Sequence, residues 1–266
     1  MIAMFDKFWH GWLRVPYLLH ATTHHSTGRP RGTIVLLHGI GSSGKVWGDV
    51  IALLPKDVCA VTVDLLGFGD SPRPDIARYD TKNHARAVRA TLRRLRIRGP
   101  IVLVGHSLGA LVSVELTKRY PKYVERLVLC SPPFYWAHQK HAVGHKEKQL
   151  FKLFEYARKN PQNFLKITAM ATRLGLTNKW LNVNDQTIDA YMQTLEASIL
   201  NQTSIEDVTT LHQPVTVIYG SLDPVIVHAN LKTALRLMPN AKLVKIVAGH
   251  DLDKRYARAI ASHLAH

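Results

Sequence analysis

The sequence predicts an α/β fold: a mostly parallel central sheet covered by helices on both faces, with a helical insertion in its second half. Two observations predict the sheet and a third predicts the insertion. Short continuous runs of Val, Ile and Leu recur along the chain, as strands buried on both faces require. Segments with apolar residues three and four apart lie between most of these runs, which is the helical period. The alternation then breaks between Cys130 and Val215, where helical patterns continue without a strong strand.

Taken in order, a stretch at 14–22 (RVPYLLHAT) is suited to antiparallel edge strands. Strands follow at 33–37 (TIVLL), 58–63 (VCAVTV), 101–105 (IVLVG), 125–130 (ERLVLC), 215–219 (VTVIY) and 242–247 (KLVKIV). Helices are expected at 43–54, 80–97, 107–119, 226–238 and 252–264. Residues 1–132 and 208–266 then form the core, and 133–207 the insertion. Within the insertion, Asn160-Pro161 reads as an N-cap followed by proline at the first helical position. Asp185 is placed to cap a later helix that lines up Ile188, Tyr191, Met192, Leu195 and Ile199 on one face.

The chain has 266 residues, enough for one α/β domain with an insertion and a core that needs no staples. Cys59 and Cys130 each sit inside an apolar run and read as buried free thiols, which suits a reducing compartment. Uncharged stretches such as 101–114 and 208–222 fall short of the roughly 18 apolar residues a spanning helix needs. The first residues lack a basic n-region and are broken by Asp6, Lys7, His10 and Arg14, so no signal peptide is read and a cytoplasmic location is expected.

Thirty-five Lys and Arg against 19 Asp and Glu give a net charge of +16, which asks for an acidic partner or serves solubility. Arg86, Arg89, Arg93 and Arg96 form a basic ridge on the 80–97 helix. Met1, Met4, Phe5, Phe8, Trp9, Trp12 and Leu13 recur at helical intervals, a stripe for docking on the protein itself, on a second copy or on an anionic membrane surface. No nucleic-acid partner is expected, because no basic-aromatic module interleaves here. Oligomeric state is left open.

Chemistry gathers where strands end. In an open parallel sheet, functional groups collect off the carboxyl ends of the strands. The strand at 101–105 runs into Gly105-His106-Ser107-Leu108-Gly109, a serine bracketed by glycines at the mouth of a helix. The strand at 215–219 is followed by Asp223 and that at 242–247 by His250, giving the order Ser, Asp, His. A nucleophile, a base that takes its proton and an acid that orients the base are the parts of acyl-transfer catalysis. The first strand ends in His38-Gly39-Ile40-Gly41, a loop able to turn backbone amides toward the serine; Leu108 would supply a second amide. His38 and His106 read as structural or pocket-lining, and Glu115, two turns down the helix, as a partner for the sheet or for a basic neighbour. Phe134, Tyr135 and Trp136 follow a strand end and read equally as core packing or as a pocket wall. His138, His141 and His145 would share a helical face, but Gly144 weakens that helix and no carboxylate joins them, so neither a metal nor a cofactor is expected.

With these elements the chain resembles the α/β-hydrolase superfamily from about residue 14 onward. The stretch DLLGFGDSPRP at 64–74 is similar to the glycine-rich loop those enzymes carry after their second parallel strand, and 133–207 sits where they insert a lid. The resemblance implies Ser107 as nucleophile, His250 as base, Asp223 as its orienting acid, and the amides of Ile40 and Leu108 as the oxyanion hole; Gly39 and His106, flanking these, are candidate substrate-binding residues. Haloalkane dehalogenases and epoxide hydrolases carry aspartate at the elbow where this chain has serine. The histidine-bearing elbow GHSLG resembles that of esterases and lipases acting on monoacyl substrates. The implied activity is hydrolysis of a small carboxylic ester. C–C bond hydrolysis or acyl transfer by the same triad, and a non-catalytic receptor on this fold, stand as alternatives.

Overall fold

The computed structural model describes residues 7–24, 30–136, 145–173 and 181–264. Its strands are β1 (Ala21–His24), β2 (Gly32–Leu37), β3 (Val58–Val63), β4 (Ile101–His106), β5 (Val124–Cys130), β6 (Val215–Gly220) and β7 (Ala241–Ile246). Helices of seven residues or more are α1 (Thr81–Arg94), α2 (Leu108–Arg119), α3 (His145–Lys159), α4 (Pro161–Arg173), α5 (Ile188–Thr194), α6 (His228–Leu237) and α7 (Lys254–Leu264).

The strands form one sheet in the order β1-β3-β2-β4-β5-β6-β7, parallel throughout except for β1. Both faces are covered, and the two-residue period of a strand divides the apolar residues between them. Val35, Leu37, Leu103, Leu127 and Val217 pack on one face, with Ala85, Val88 and Leu92 of α1, most of α2, and Leu231 and Ala234 of α6. Ile34, Leu36, Val104, Val128 and Ile218 pack on the other, with Trp47, Val50 and Tyr256, Ile260 and Leu264 of α7. Cys130 is buried, Cys59 half-buried, and both are free thiols. Among the described residues no helix is long and apolar enough to cross a membrane.

Local chemistry moves some boundaries. The edge strand forms at 21–24, later than the 14–22 stretch, because Pro16 has no amide to give. The amides of Leu19 and His20 also bond the Thr91 and Ser71 hydroxyls in place of a strand. The 43–54 segment folds as short turns at Gly44–Trp47 and Gly48–Ile51. Asp80 caps α1 through the Asn83 amide at 2.7 Å. α5 opens after Thr187, two residues past Asp185, and the oxygen that orders its approach is that of Asn184, which accepts the Gln186 amide at 2.9 Å. The arginine ridge is divided. Arg89 lies 4.0 Å over the Tyr123 ring, Arg86 bonds the Arg14 carbonyl at 2.6 Å, and Arg93 and Arg96 face solvent.

Two buried histidines tie this core to pH. Burial pushes His84, on α1, and His106, at the end of β4, down to about 3, with His38 and His250 respectively adding repulsion. The folded protein holds both neutral, whereas the unfolded chain binds protons once pH falls below about 6.5. Protons therefore favour unfolding between about pH 6.5 and about pH 3. Stability is complete above that window and falls through it by up to ~1.4 kcal/mol per pH unit for each histidine. Urea titrations are expected to show the midpoint sliding down from about pH 6.5, with a shallower slide in His84→Leu. A pH-independent midpoint would contradict this.

Candidate active site

Four neighbouring strands, β4 to β7, each end in a residue of the candidate site. His106 pairs with Cys130 and Cys130 with Ile218, so these strands end nearly in step. Ser107 follows β4, Ser131 follows β5, Asp223 follows β6 and His250 follows β7.

The turn at Ser107 is the sharpest of these. Its φ of 53° and ψ of −118° lie outside the regions an L-residue prefers, a strain of about 1–3 kcal/mol. The conformation is held from both sides. The Ser107 amide donates to the Cys130 carbonyl at 2.9 Å, and α2 begins at Leu108. The bracketing glycines are needed for contact. A Cβ on Gly109 would overlap the Leu37 and His38 carbonyls, and one on Gly105 would overlap the Gly109 backbone. α2 thus presses directly on the ends of β2 and β4, bringing Gly39 against Ser107 and His106.

From this turn runs a hydrogen-bonded series. The Ser107 hydroxyl faces His250 Nε2 at 3.0 Å, and His250 Nδ1 faces Asp223 Oδ2 at 2.8 Å. With Nδ1–H donating to the carboxylate, the Nε2 lone pair is left for the serine proton. Asp223 is buried, and its Oδ1 accepts the Val225 amide at 2.8 Å. Burial pushes the Asp223 carboxyl up, but hydrogen bonds from His250, Ser131 and the Val225 amide, with the attraction of His250, outweigh it and hold it below the ordinary carboxylate range. The loops bearing Asp223 and His250 are tied together, Ser221 N to the Ile246 carbonyl at 2.8 Å and Leu222 N to the Ala248 carbonyl at 3.0 Å.

Two further histidines brace the site. His38 donates from Nδ1 to the Gly39 carbonyl at 2.7 Å and accepts the Leu65 amide at Nε2, 2.9 Å away. Both ring nitrogens are engaged and burial lowers its pKa, so it is a neutral brace for the 38–41 loop. His106 donates from Nε2 to the His250 carbonyl at 2.8 Å, joining the end of β4 to the loop that carries His250. Glu115 lies down α2 and is ion-paired with Arg119 and Lys118.

Beside Ser107 opens a cavity of about 460 Å³. Gly39, Ile40, His106 and His250 line its floor, and Phe154, Leu181, Tyr191, Leu195 and Ile199 of the β5–β6 segment supply apolar wall. Of the three aromatics that open that segment, Phe134 and Tyr135 go to the core and Trp136 packs against it. Tyr135 donates to the Val225 carbonyl at 2.7 Å and so supports the Asp223 loop from behind. Pro133 is the residue of this stretch that reaches the cavity. The helical spacing of Tyr191, Leu195 and Ile199 was the available signal for a wall; Phe154 and Leu181 carried none.

Sequence reasoning also missed Ser131 and Tyr256. Ser131 has a φ of 44°, bonds Asp223, and meets the Tyr256 hydroxyl at 2.6 Å. Its one signal was a serine at a strand end, before two prolines; for Tyr256 it was a phenol on the apolar face of a helix, which needs a partner when buried.

Of the histidine trio, His138 and His141 lie outside the described residues; His145 opens α3, with Gln149 bonded to its Nε2 at 2.8 Å. Among the described residues, His20, Asp64 and Asp70 bring potential metal-ligand atoms within 4.8 Å of one another. The Asp64 oxygens accept the Gly44 amide at 2.6 Å, the Asp70 amide at 2.8 Å and His20 Nδ1 at 3.1 Å, so this carboxylate clamps the 64–74 loop.

The family model described as alpha/beta hydrolase fold matches residues 32–252. An uncharacterized protein of Mycobacterium tuberculosis is 38% identical over 98 residues, 37% of this chain and 28% of that protein. A probable lysophospholipase of Arabidopsis thaliana, BODYGUARD 4, is 26% identical over 125 residues, 44% of this chain and 30% of that protein. The matched stretches thus span less than a third of either relative's length. Among solved structures, an esterase from Exiguobacterium antarcticum superposes with a TM-score of 0.75 at 16% identity, covering 93% of this chain and 96% of that one. The enol-lactonase of Burkholderia xenovorans gives 0.70 at 19%, covering 93% and 95%. At such identities the likeness is one of fold.

Proposed function

The chain belongs to the α/β-hydrolase fold family, and from that premise we propose that it is a serine hydrolase cleaving small carboxylic esters, of short or medium acyl chain or monoacyl, through an acyl-enzyme. The observation that carries this is the unbroken series Ser107 Oγ, His250 Nε2, His250 Nδ1, Asp223 Oδ2, with separations of 3.0 and 2.8 Å, opening into an apolar-walled cavity.

In this reading His250 Nε2 takes the Ser107 proton as Oγ attacks the ester carbonyl carbon. The oxyanion forms between the amides of Ile40 and Leu108; the latter stands at the first position of α2, where no helical acceptor takes it and the dipole favours negative charge. The imidazolium gives its proton to the alcohol oxygen as the C–O bond breaks. Water then yields a proton to His250 and its oxygen to the acyl carbon, and the acid leaves as Ser107 recovers its hydrogen. Asp223, held ionised, keeps the imidazole in the tautomer both steps need.

The reading extends to a lid at 133–207 over a core made of 1–132 and 208–266. Six apolar cavity residues, Pro133 among them, come from that segment, which supports it, and they suit an acyl chain. The test is a series of p-nitrophenyl esters from acetate to palmitate. Turnover is expected to peak at short or medium chains, the size that an apolar-walled cavity of about 460 Å³ encloses most fully. A folded protein that turns over none of them would overturn the reading.

A further inference from the structure

A second cavity, about 340 Å³, opens between the N-terminal segment and the start of α1. Arg14, Arg78, Lys82 and Arg86 are among its walls, against a single carboxylate, Asp80, already engaged as the cap of α1. Beside it, the segment that supplies Arg14 presents an apolar ridge to solvent. Phe8 and Trp12 stack on one another at 5.3 Å with 50% and 73% of their surface exposed, and Leu13 and Leu18 are 43% and 51% exposed. The ridge is fixed to the fold, since Arg86 holds the Arg14 carbonyl at 2.6 Å and the Leu13 amide bonds the Phe8 carbonyl at 3.0 Å.

Exposed stacked aromatics rimmed by cations have a matching solvent at the surface of an anionic bilayer, where amphipathic rings sit at headgroup depth and Arg and Lys meet phosphate. We propose that residues 8–18 together with the Arg78, Lys82 and Arg86 cluster form a docking surface for anionic lipid membranes. Charge complementarity selects this occupant over a second copy of the chain, because a copy whose whole chain also carries +16 would bring the Arg78, Lys82 and Arg86 cluster against a cationic partner. The surface lies on the functional side of the sheet. Leu66, in the cavity wall, stands just beyond the carboxyl end of β3, as Ser107 stands beyond that of β4. The proposal does not depend on chemistry at Ser107.

The experiment is sedimentation of the full chain with vesicles of phosphatidylcholine alone or mixed with phosphatidylglycerol, at low and raised salt. Binding is expected with the anionic vesicles and should weaken with salt. Each of Arg78→Glu and Lys82→Glu is expected to weaken it about fivefold or more. Phe8→Ala with Trp12→Ala is expected to weaken it about tenfold or more. Arg78→Lys with Lys82→Arg should keep it, and Ser107→Ala should bind like the parent, which separates this surface from the catalytic reading. All the surface variants should retain turnover of a soluble p-nitrophenyl ester. Equal affinity for neutral vesicles, full competition by inorganic phosphate, tighter binding to duplex DNA, or an oligomer that dissociates in the Trp12→Ala variant without any vesicle binding would each overturn the proposal.

Discussion

Ser107→Ala is expected to lower kcat/KM for the best p-nitrophenyl ester by roughly 10⁴–10⁶-fold, while leaving a folded protein with nearly unchanged substrate affinity. The size follows from what is removed. Oγ is the atom that would form the acyl bond, and it is the hydroxyl that faces His250 Nε2, the nitrogen that would take the proton. What remains is binding and the backbone amides, which retain a modest residue of catalysis over water. Folding should survive because the serine side chain contributes little packing. The turn is set by the Cys130 carbonyl and by the close approach of α2, both backbone features. Asp223→Asn is expected to cost less than Ser107→Ala, since it removes the charge bonded to His250 Nδ1 and leaves the Ser107 hydroxyl in place. Steady-state kinetics with a circular dichroism control check both. Undiminished turnover in Ser107→Ala would remove the serine from the mechanism outright.

Much of this site was legible because it depends on strand ends. Apolar runs mark the strands, parallel strands deliver their next residues to one edge, and the polar residue following each run is therefore a site candidate. Ser107, Asp223 and His250 could be found that way, and so could the loop at 38–41. The cavity wall was less legible. Phe154 reaches it from the middle of α3, whereas Tyr135, which read equally as core or wall, packs into the core and braces the Asp223 loop. Whether an aromatic next to a strand end turns inward or toward the cavity depends on how helices from the β5–β6 segment stack over it, and periodicity says nothing of that. Ser131 and Tyr256 were hidden for a related reason. Their meeting joins the end of β5 to α7, more than a hundred residues on, through hydroxyls with no local pattern. The edge strand was misplaced by a few residues because side-chain hydroxyls took the amides of Leu19 and His20, competition that a pattern of apolar residues cannot display.

Gly109→Ala is expected to destabilise the fold by about 4 kcal/mol or more, a cost out of proportion to one methyl group. The new Cβ would meet the carbonyls of Leu37 and His38, and these are backbone atoms at the end of a central strand hydrogen-bonded on both sides. A flexible side chain could swing away; β2 cannot move without disturbing β3 and β4. Relief must come from α2 tilting off the sheet, which breaks its packing against the core and displaces the Leu108 amide and the 38–41 loop relative to Ser107. Stability and turnover should therefore fall together, in contrast with Ser107→Ala, where turnover falls alone. Gly48→Ala is the matched control. That glycine has open space around its Cβ position and a φ of −52°, ordinary for a helix, so the same methyl is expected to be neutral or to stabilise by up to about 1 kcal/mol. Urea unfolding of the two variants beside the parent decides the matter. Equal midpoints would mean that α2 has room to spare beside Ser107, and that the strained turn there is held by something other than the contact between α2 and β2.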